Sequence, residues 1–272
     1  MKTKTVLSLV CLLSIAGCTA MDAVTGQQTQ NFYSLQEDVE LGSEVYSETI
    51  EEMRARGVPI NADPARTAQL REMVQRISSV SDLPELPYEV TLIQTNIVNA
   101  MAAPGGKIMV YEGLWDPEDG LVKDDEELAA VLAHEIAHVN CRHSTESMTR
   151  QMLPNALFLG ASIFAQAKDR EDLAVALSGA FMLYNGIWVT RYSRQDEIEA
   201  DSVGLMYMAK AGYDPRAALR MWDRAARNRS GDDPADSIFS THPADRVRLE
   251  NLRTKLPAAL NVYEAGIQNR TS

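Results

Sequence analysis

The sequence feature that most constrains this chain is a pair of histidines one helical turn apart. Residues 124–142 begin with four carboxylates, contain neither glycine nor proline, and repeat apolar residues at helical spacing, which predicts a single amphipathic helix. On that helix His134 and His138 lie about 40° apart, so both imidazoles can bind one metal ion. Glu135 falls beside them, close enough to hold a water molecule at the metal. This pattern is typical of zinc hydrolases, in which the glutamate removes the proton of that water.

The alternative is a helix that carries two ordinary histidines on its surface or in its core. The chain has only four histidines, and two of them form this pair. Because half of the histidines in the chain form this pair, a metal site is favoured, and we predict one Zn²⁺ per chain.

A pair of carboxylates in a later helix supplies what such a site still lacks. Glu197 and Asp201 lie four residues apart on one face of a helix over residues 193–212, next to apolar residues. Two carboxylates in such surroundings are costly to bury unless they meet a cation. A zinc ion needs a third protein ligand, and a ligand histidine needs an acceptor for its free N–H group. We therefore predict Glu197 and Asp201 in these two roles; the alternative is a solvated acidic helix face.

The start of the chain has the pattern of an export signal. Two lysines precede an apolar run over residues 6–16 that is too short to span a bilayer. Residues 15–18, Ile-Ala-Gly-Cys, resemble the bacterial lipobox, in which the cysteine is lipidated and becomes the first mature residue. We predict a lipoprotein signal peptide over residues 1–17 and a lipid anchor, palmitate included, at Cys18. The alternative is an ordinary signal peptide cut elsewhere. Because Thr19 is not the aspartate that retains such lipoproteins in the inner membrane, we expect the periplasmic face of the bacterial outer membrane.

The rest of the chain has the composition of an exported, folded domain. Its hydrophobic content of 45% is enough for a single core. The net charge of −12 becomes more negative once the signal and its lysines are removed, which excludes nucleic acid as a partner. Of the three cysteines only Cys141 remains available after Cys11 and Cys18, so we expect no disulfide. Residues 18–33 are polar and read as a tether, followed by a folded domain over residues 34–272.

Strand patterns precede the metal helix, and apolar helices follow it. Residues 88–95 predict a strand, and residues 99–111 predict two short strands around Pro104, which indicates an edge position. The alternative is a hairpin packed under the helix. Residues 152–167 and 173–189 predict a helical hairpin that lies in the core or acts as a lid, with contact to a membrane surface as the alternative.

Four motifs follow one another in a set order. They are NAMAAPGG over residues 99–106, HEIAH over 134–138, EIEAD over 197–201 and STHP over 240–243. Together they resemble the HtpX-type zinc metallopeptidases, a gluzincin family that includes outer-membrane lipoprotein proteases. The resemblance implies a mainly helical α+β fold, zincin-like, with a small β-sheet whose edge strand lies beside the metal helix. Residues 34–272 would form this metallopeptidase domain. One departure is Ala137, where relatives usually have glycine.

The resemblance also implies a role for individual residues. It implies His134, His138 and Glu197 as zinc ligands, Glu135 as the general base, Asp201 as the partner of a ligand, and a substrate-binding edge strand formed by Lys107, Ile108, Met109, Val110 and Tyr111. It places the loop of His242 near the zinc, where this side chain either stabilises the oxyanion or closes the open zinc position at rest. The alternative for His242 is a loop cap.

Three further residues are expected to have structural roles and to take no part in metal binding or catalysis. His143 lies nine residues after His134, about 180° round a continuous helix, so we expect a packing or surface residue. Cys141 reads as a small buried residue, and Arg248 as a structural brace.

We therefore expect a zinc endopeptidase that cleaves unfolded or misassembled proteins in the periplasm at the outer membrane, in protein quality control. Its partners would be unfolded or misfolded protein substrates, the membrane through the lipid at Cys18, and outer-membrane assembly proteins. The alternative is a chaperone-like binding factor with latent or incidental proteolysis. A zinc hydrolase that acts on substrates other than peptides is a third option, which the strand-pairing element argues against.

Overall fold

The computed structural model describes residues 19–21, 24, 26, 28–118, 120–152, 192–228, 238, 242 and 245–271. The strands are β1 (Thr19–Met21), β2 (Gln28–Gln30), β3 (Glu89–Ile93), β4 (Ala100–Ala103) and β5 (Lys107–Tyr111). The helices are α1 (Leu35–Ala55), α2 (Pro64–Ser78), α3 (Asp125–Asn140), α4 (residues 143–152), α5 (Arg194–Lys210), α6 (Arg216–Asn228) and α7 (Arg246–Thr271). The predicted α+β, mainly helical class is confirmed. The predicted hairpin over 152–167 and 173–189 lies almost wholly outside the described residues.

Side-chain caps set the starts of the main helices. Ser34 and Glu37 form a reciprocal capping box at α1, and Ser193 with Asp196 forms another at α5. Asp124 accepts a hydrogen bond from the third backbone N–H of α3. The acidic first turn of α3 also lies at the positive end of the helix dipole. The start of the metal helix is therefore specified locally.

The three-stranded sheet has the order β3-β5-β4. β5 pairs in parallel with β3 and antiparallel with β4, so Lys107–Tyr111 is the central strand and the prediction that it is an edge strand is wrong. The physical reason is its run of four apolar residues, which is buried on both faces. The edge strand that lies against α3 is β4. The expectation of an edge beside the metal helix is confirmed, with Ala100–Ala103 in that place.

The turn between β4 and β5 packs tightly on α1. A Cβ atom on Gly42 would lie 1.8 Å from the carbonyl oxygen of Pro104. Gly105 has φ +70°, and a Cβ there would lie 2.5 Å from Cα of Val39. Glycine at both positions lets the α1 backbone approach this turn.

α3 forms the centre of the core. Every residue from Glu127 to Asn140 is buried. α2 and β4 pack on one part of its surface, and α5 and α6 pack on another. A Cβ on Gly204 of α5 would lie 3.0 Å from the backbone of Ala133, so the two helices cross at close range. The crossing brings the carboxylates of α5 to the histidines of α3.

Part of the predicted tether is attached to the domain. β1 and β2 pair antiparallel within residues 18–33, and the Asn31 side chain donates a 2.9 Å hydrogen bond to Thr145 on α4. The backbone N–H of Phe32 donates to Thr149 on the same helix. Polar side chains of α4 therefore bind the end of this segment, and a tether over residues 18–33 stays a prediction. Cys18 lies outside the described residues.

The metal helix ends earlier than predicted. α3 stops at Asn140, and Arg142 has φ +56°, a left-handed conformation that is uncommon for residues other than glycine. A new helix, α4, begins at His143. The single helix predicted over 124–142 is therefore wrong at its end. No helix within the described ranges is both long and apolar enough to cross a membrane.

Candidate metal centre and active site

Helices α3 and α5, together with His242, bring four nitrogen and oxygen donors together. Nε2 of His134 and Nε2 of His138 lie 3.0 Å apart, and the Glu197 carboxylate lies 3.4 Å from the first ring and 3.3 Å from the second. Nδ1 of His242 lies 2.9 Å from Glu197 and 3.2 Å from His134. All four side chains are buried. The ligand atoms predicted from the sequence therefore converge on one point.

The spacing of these atoms fits a zinc ion. Two ligand atoms about 2.0–2.1 Å from a tetrahedral ion lie about 3.3–3.4 Å apart. The separations of 3.0, 3.3 and 3.4 Å among His134, His138 and Glu197 are close to that value. Two imidazoles and one carboxylate form the donor set of several catalytic zinc sites. The residues present therefore suit a bound metal.

Glu135 is buried beside this cluster with few contacts that compensate for its lost hydration. Its side chain is 1% exposed, and neither carboxylate oxygen has a hydrogen-bond partner among the residues that the structure describes. Nε2 of His242 lies 3.6 Å from one of these oxygens. Burial raises the pKa of Glu135, because the charged form loses its hydration. A buried carboxylate without hydrogen-bond partners is costly for the fold and indicates a chemical role.

Arg248 holds the two carboxylates of α5. Its Nε and Nη2 atoms donate hydrogen bonds of 2.7 Å to Asp201, and its Nη1 lies 2.8 Å from Glu197. Burial opposes the ionised forms, but the nearby positive groups outweigh it and lower the pKa of both carboxyls, that of Glu197 most strongly. The guanidinium also lies 4.4 Å from the ring centre of Trp222. The expectation that Arg248 braces the structure agrees with these contacts.

Asp201 lies behind the ring of His134. Its carboxylate is 3.1 Å from Nδ1 of His134, the nitrogen that faces away from the donor cluster. Burial disfavours the protonated ring, but Asp201 and Glu197 outweigh this and raise the pKa of His134 to about 9. Asp201 is thus placed to accept a hydrogen bond from Nδ1 of His134, which is the role predicted for it.

His143 is where the prediction from the sequence fails. It is buried, and its Nδ1 lies 2.8 Å from Nδ1 of His138. The helix break at Arg142 turns the chain, so the angular argument for a continuous helix does not apply. The continuous helix assumed for His143 is therefore wrong, and its ring contacts His138, while its burial agrees with the packing residue that was expected. Cys141 is buried, as expected.

Two aromatic residues at the site were missed by the sequence reasoning. Tyr192 stacks on His138 with ring centres 4.0 Å apart, and its hydroxyl is 2.9 Å from Ser144. Trp222 packs edge-on against His134 with ring centres 6.1 Å apart. Neither position carries a local signal, since Tyr192 lies outside the helix, two residues before α5 begins, and an isolated aromatic residue in a helix, such as Trp222, is usually a core residue.

The fold and this donor set together define a metallopeptidase of the zincin-like class. Residues 64–256 match the model of Peptidase family M48, which is more than half of the chain, and the chain belongs to this family. The resemblance to HtpX-type metallopeptidases is thereby confirmed at the level of the family.

Curated relatives have names of two kinds. The chain is 34% identical over 239 residues to the mitochondrial metalloendopeptidase OMA1 of Schizosaccharomyces pombe, covering 87% of this chain and 66% of that protein. It is 33% identical over 171 residues to OMA1 of Saccharomyces cerevisiae, covering 61% of this chain and 46% of that protein. It is 27% identical over 201 residues to the beta-barrel assembly-enhancing protease of Escherichia coli K12, covering 72% of this chain and 40% of that protein. The chain thus spans less than two thirds of the length of each.

Proposed function

We propose that this protein is a zinc-dependent endopeptidase that cleaves unfolded or misassembled proteins. The observation that carries the proposal is the buried carboxylate of Glu135, which has no hydrogen-bond partner among the described residues and lies beside the convergent donors of His134, His138 and Glu197. A bound Zn²⁺ supplies Lewis acidity, which lowers the pKa of water and polarises a carbonyl group. Membership of Peptidase family M48 supports peptide bonds as the bonds cleaved.

Glu135 performs the proton transfers in this proposal. One of its oxygens takes a proton from the attacking water, and the same group then delivers that proton to the leaving amine. Its surroundings suit this role because no described side chain is hydrogen-bonded to its oxygens and burial keeps bulk water away. Asp201 and Arg248 hold α5 and the ring of His134 in fixed positions during these proton transfers.

β4 is the strand that receives substrate in this proposal, in place of Lys107–Tyr111. It is an edge of the sheet and lies along α3, and Met101 on it is 37% exposed. An extended peptide can add to such an edge through main-chain hydrogen bonds, which do not depend on side-chain identity. Folded proteins rarely offer a free extended segment, so unfolded chains are the preferred substrates.

His242 regulates access to the metal in one form of this proposal. Its Nδ1 lies among the ligand atoms, 2.9 Å from Glu197, where it would fill a fourth position. Its alternative role is to stabilise the oxyanion during the reaction. Cleavage by His242→Ala separates the two roles: activity rises if the ring closes the site and falls if the ring stabilises the oxyanion.

The cellular place we propose is the periplasmic face of the outer membrane, through a lipid on Cys18. The basic and apolar start of the chain and the Ile-Ala-Gly-Cys motif support it. The name of the Escherichia coli relative supports outer-membrane assembly proteins as partners. Labelling cells with an alkyne analogue of palmitate tests the anchor. The parent should carry label in the outer-membrane fraction and Cys18→Ser should carry none; equal labelling would reject the anchor.

The Glu135→Gln variant tests the activity most sharply. The change keeps the size of the side chain and all proposed zinc ligands, so the variant should bind zinc normally but cleave fluorescent unfolded casein at least about 100-fold more slowly. The matched control is Glu48→Gln, an exposed glutamate on α1, which should cleave like the parent. Unchanged cleavage by Glu135→Gln would reject Glu135 as the base. A parent that binds unfolded chains without turnover would favour the chaperone-like alternative.

A further inference from the structure

His138 has a hydrogen-bonded chain behind it that leads away from the metal cluster. Its Nε2 faces the donors, and its Nδ1 lies 2.8 Å from Nδ1 of His143. The other nitrogen of His143, Nε2, lies 3.1 Å from the Glu199 carboxylate on α5. His138 and His143 are both 1% exposed, and the Glu199 side chain is 26% exposed. The chain Glu199, His143, His138 therefore runs from the rim of α5 to the centre of the site.

The position of His143 depends on the break between α3 and α4. In a continuous helix five residues after His138 would lie about 140° away, out of reach. Arg142 adopts φ +56° and ends the helix, and its guanidinium forms an ion pair of 2.6 Å with the buried Asp38 of α1. This ion pair offsets an unfavourable backbone conformation. The fold thus uses a long-range contact to put a third ring behind the histidine pair.

Hydrogen-bond accounting allows one consistent set of tautomers. A ring that offers the lone pair of Nε2 to a metal must carry its proton on Nδ1. Nδ1–H of His138 then donates to Nδ1 of His143, and Nε2–H of His143 donates to the Glu199 carboxylate. In this arrangement every ring nitrogen of His138 and His143 has a partner, and the negative charge lies on Glu199, at the end away from the metal cluster.

A second metal site is the competing explanation for the same residues. Cys141, His143 and Glu199 lie close enough to share an ion. Both nitrogens of His143 are already within hydrogen-bond distance of His138 and Glu199, at 2.8 and 3.1 Å. An ion would have to displace one of these contacts, so the hydrogen-bonded chain accounts better for the geometry.

We propose that His143 and Glu199 are positioning residues that hold His138 in the tautomer and orientation needed to bind the metal. This inference rests on the proposed metal site. Asp201 approaches His134 directly, whereas Glu199 acts on His138 through an inserted imidazole. Both carboxylates come from α5, which also carries Glu197. Partners of this kind, which hydrogen-bond a ligand histidine, typically change metal affinity by about 10–100-fold when they are removed.

The test is a zinc titration of the full chain against a chromophoric chelator. His143→Phe fills the space but removes both hydrogen bonds, and we expect its zinc affinity to fall by about 10–100-fold. His143→Gln can still accept from His138 and donate to Glu199, and we expect it to regain most of that loss. Glu199→Gln should fall between the parent and His143→Phe. Glu48→Gln is the matched control and should bind zinc like the parent.

Two further readouts separate positioning from a general loss of structure. Thermal unfolding of the metal-free proteins should give similar midpoints for the parent and Glu199→Gln, because Glu199 lies at a partly exposed rim. The absorption spectrum of the cobalt-substituted protein should shift in His143→Phe and return towards the parent in His143→Gln, because it reports the ligand geometry.

The outcomes distinguish this inference from the proposed function. A parent that binds zinc and cleaves protein, with unchanged zinc affinity and cobalt spectrum in His143→Phe and Glu199→Gln, overturns the positioning role alone. Two zinc ions per chain in the parent and one in His143→Phe overturn it in favour of a second metal site. A parent that binds no zinc overturns the proposed function and this inference together.

Discussion

Arg248 and Asp201 form a buried bidentate ion pair, in which two guanidinium nitrogens each lie 2.7 Å from a separate carboxylate oxygen. The third nitrogen of the same guanidinium lies 2.8 Å from Glu197. One cation thus balances two carboxylates that α5 brings into the core. The site retains a compensating positive charge of its own, beside the atoms that would hold a metal.

Removal of the Arg248 guanidinium should lower the free energy of unfolding. Arg248→Met leaves two buried carboxylates without their main cationic partner, and we expect the metal-free protein to lose about 3–5 kcal/mol of unfolding free energy. Urea unfolding in the presence of a chelator measures it. Arg246→Met, two residues earlier and exposed, is the control and should change stability by about 0.5 kcal/mol or less. Equal stability of the two variants would show that the ion pair contributes nothing.

The ion pair between Asp38 and Arg142 should stabilise the break after α3. Asp38→Asn removes the charge that holds the left-handed Arg142, and we expect a loss of about 1–3 kcal/mol. Because the same break positions His143, zinc affinity should also fall. The control is Glu44→Gln, an exposed glutamate on the same helix. Lower stability with unchanged zinc affinity would contradict the link between the break and the site.

The close approach of α1 to the β4–β5 turn should tolerate no added side chain. Gly42→Ala places a methyl group against the backbone oxygen of Pro104, and neither partner can move without shifting α1. We expect a loss of about 3 kcal/mol, the upper end for overpacked positions. Ser47→Ala, further along the same helix and exposed, should cost far less. Chemical denaturation of both variants makes the comparison, and similar midpoints would show that this contact is loose.

Glu127 should make the fold sensitive to acid. Burial opposes its ionised form, but Arg224, whose Nη1 donates a 2.9 Å hydrogen bond, outweighs it and holds the pKa of Glu127 below the ordinary value of 4.5. A carboxyl with a lowered pKa stabilises the fold above about pH 4.5, and this contribution is lost as the pH falls through the folded-state pKa.

The Glu127→Gln variant isolates that contribution. Its urea midpoint should be lower than that of the parent at neutral pH, and the difference should shrink as the pH falls below about 4.5. Glu118→Gln, an exposed glutamate, should follow the parent at every pH. A difference between parent and Glu127→Gln that does not depend on pH would contradict this account.

The pairing of the metal-site side chains on each helix could be predicted from the sequence, because it depends on local helical geometry. His134 and His138 share a face through their spacing, and Glu197 and Asp201 do so on α5. The chain has only four histidines, and two of them form the pair on α3. The local patterns do not show that α3 and α5 pack side by side. Gly204 on α5 permits this packing, because its lack of a side chain lets the two helices approach closely.

The missed features depend on contacts between distant parts of the chain. His143 joins the site because Arg142 leaves the helical conformation, and the Asp38 that stabilises this break lies 104 residues earlier. Strand order likewise comes from the parallel pairing of β3 with β5, which no local pattern specifies. The run of apolar residues over 108–111 did carry a signal for burial on both faces, and it indicates a central strand.

The measurement that tests the central claim most directly is the metal content of the purified full chain, determined by mass spectrometry after gentle purification without chelators. We predict one zinc ion per chain in the parent and in Glu135→Gln, and strongly reduced zinc in Glu197→Gln, because α5 supplies the third ligand to the two histidines of α3. A parent without bound metal, or a Glu197→Gln variant that retains a full zinc ion, would contradict the account.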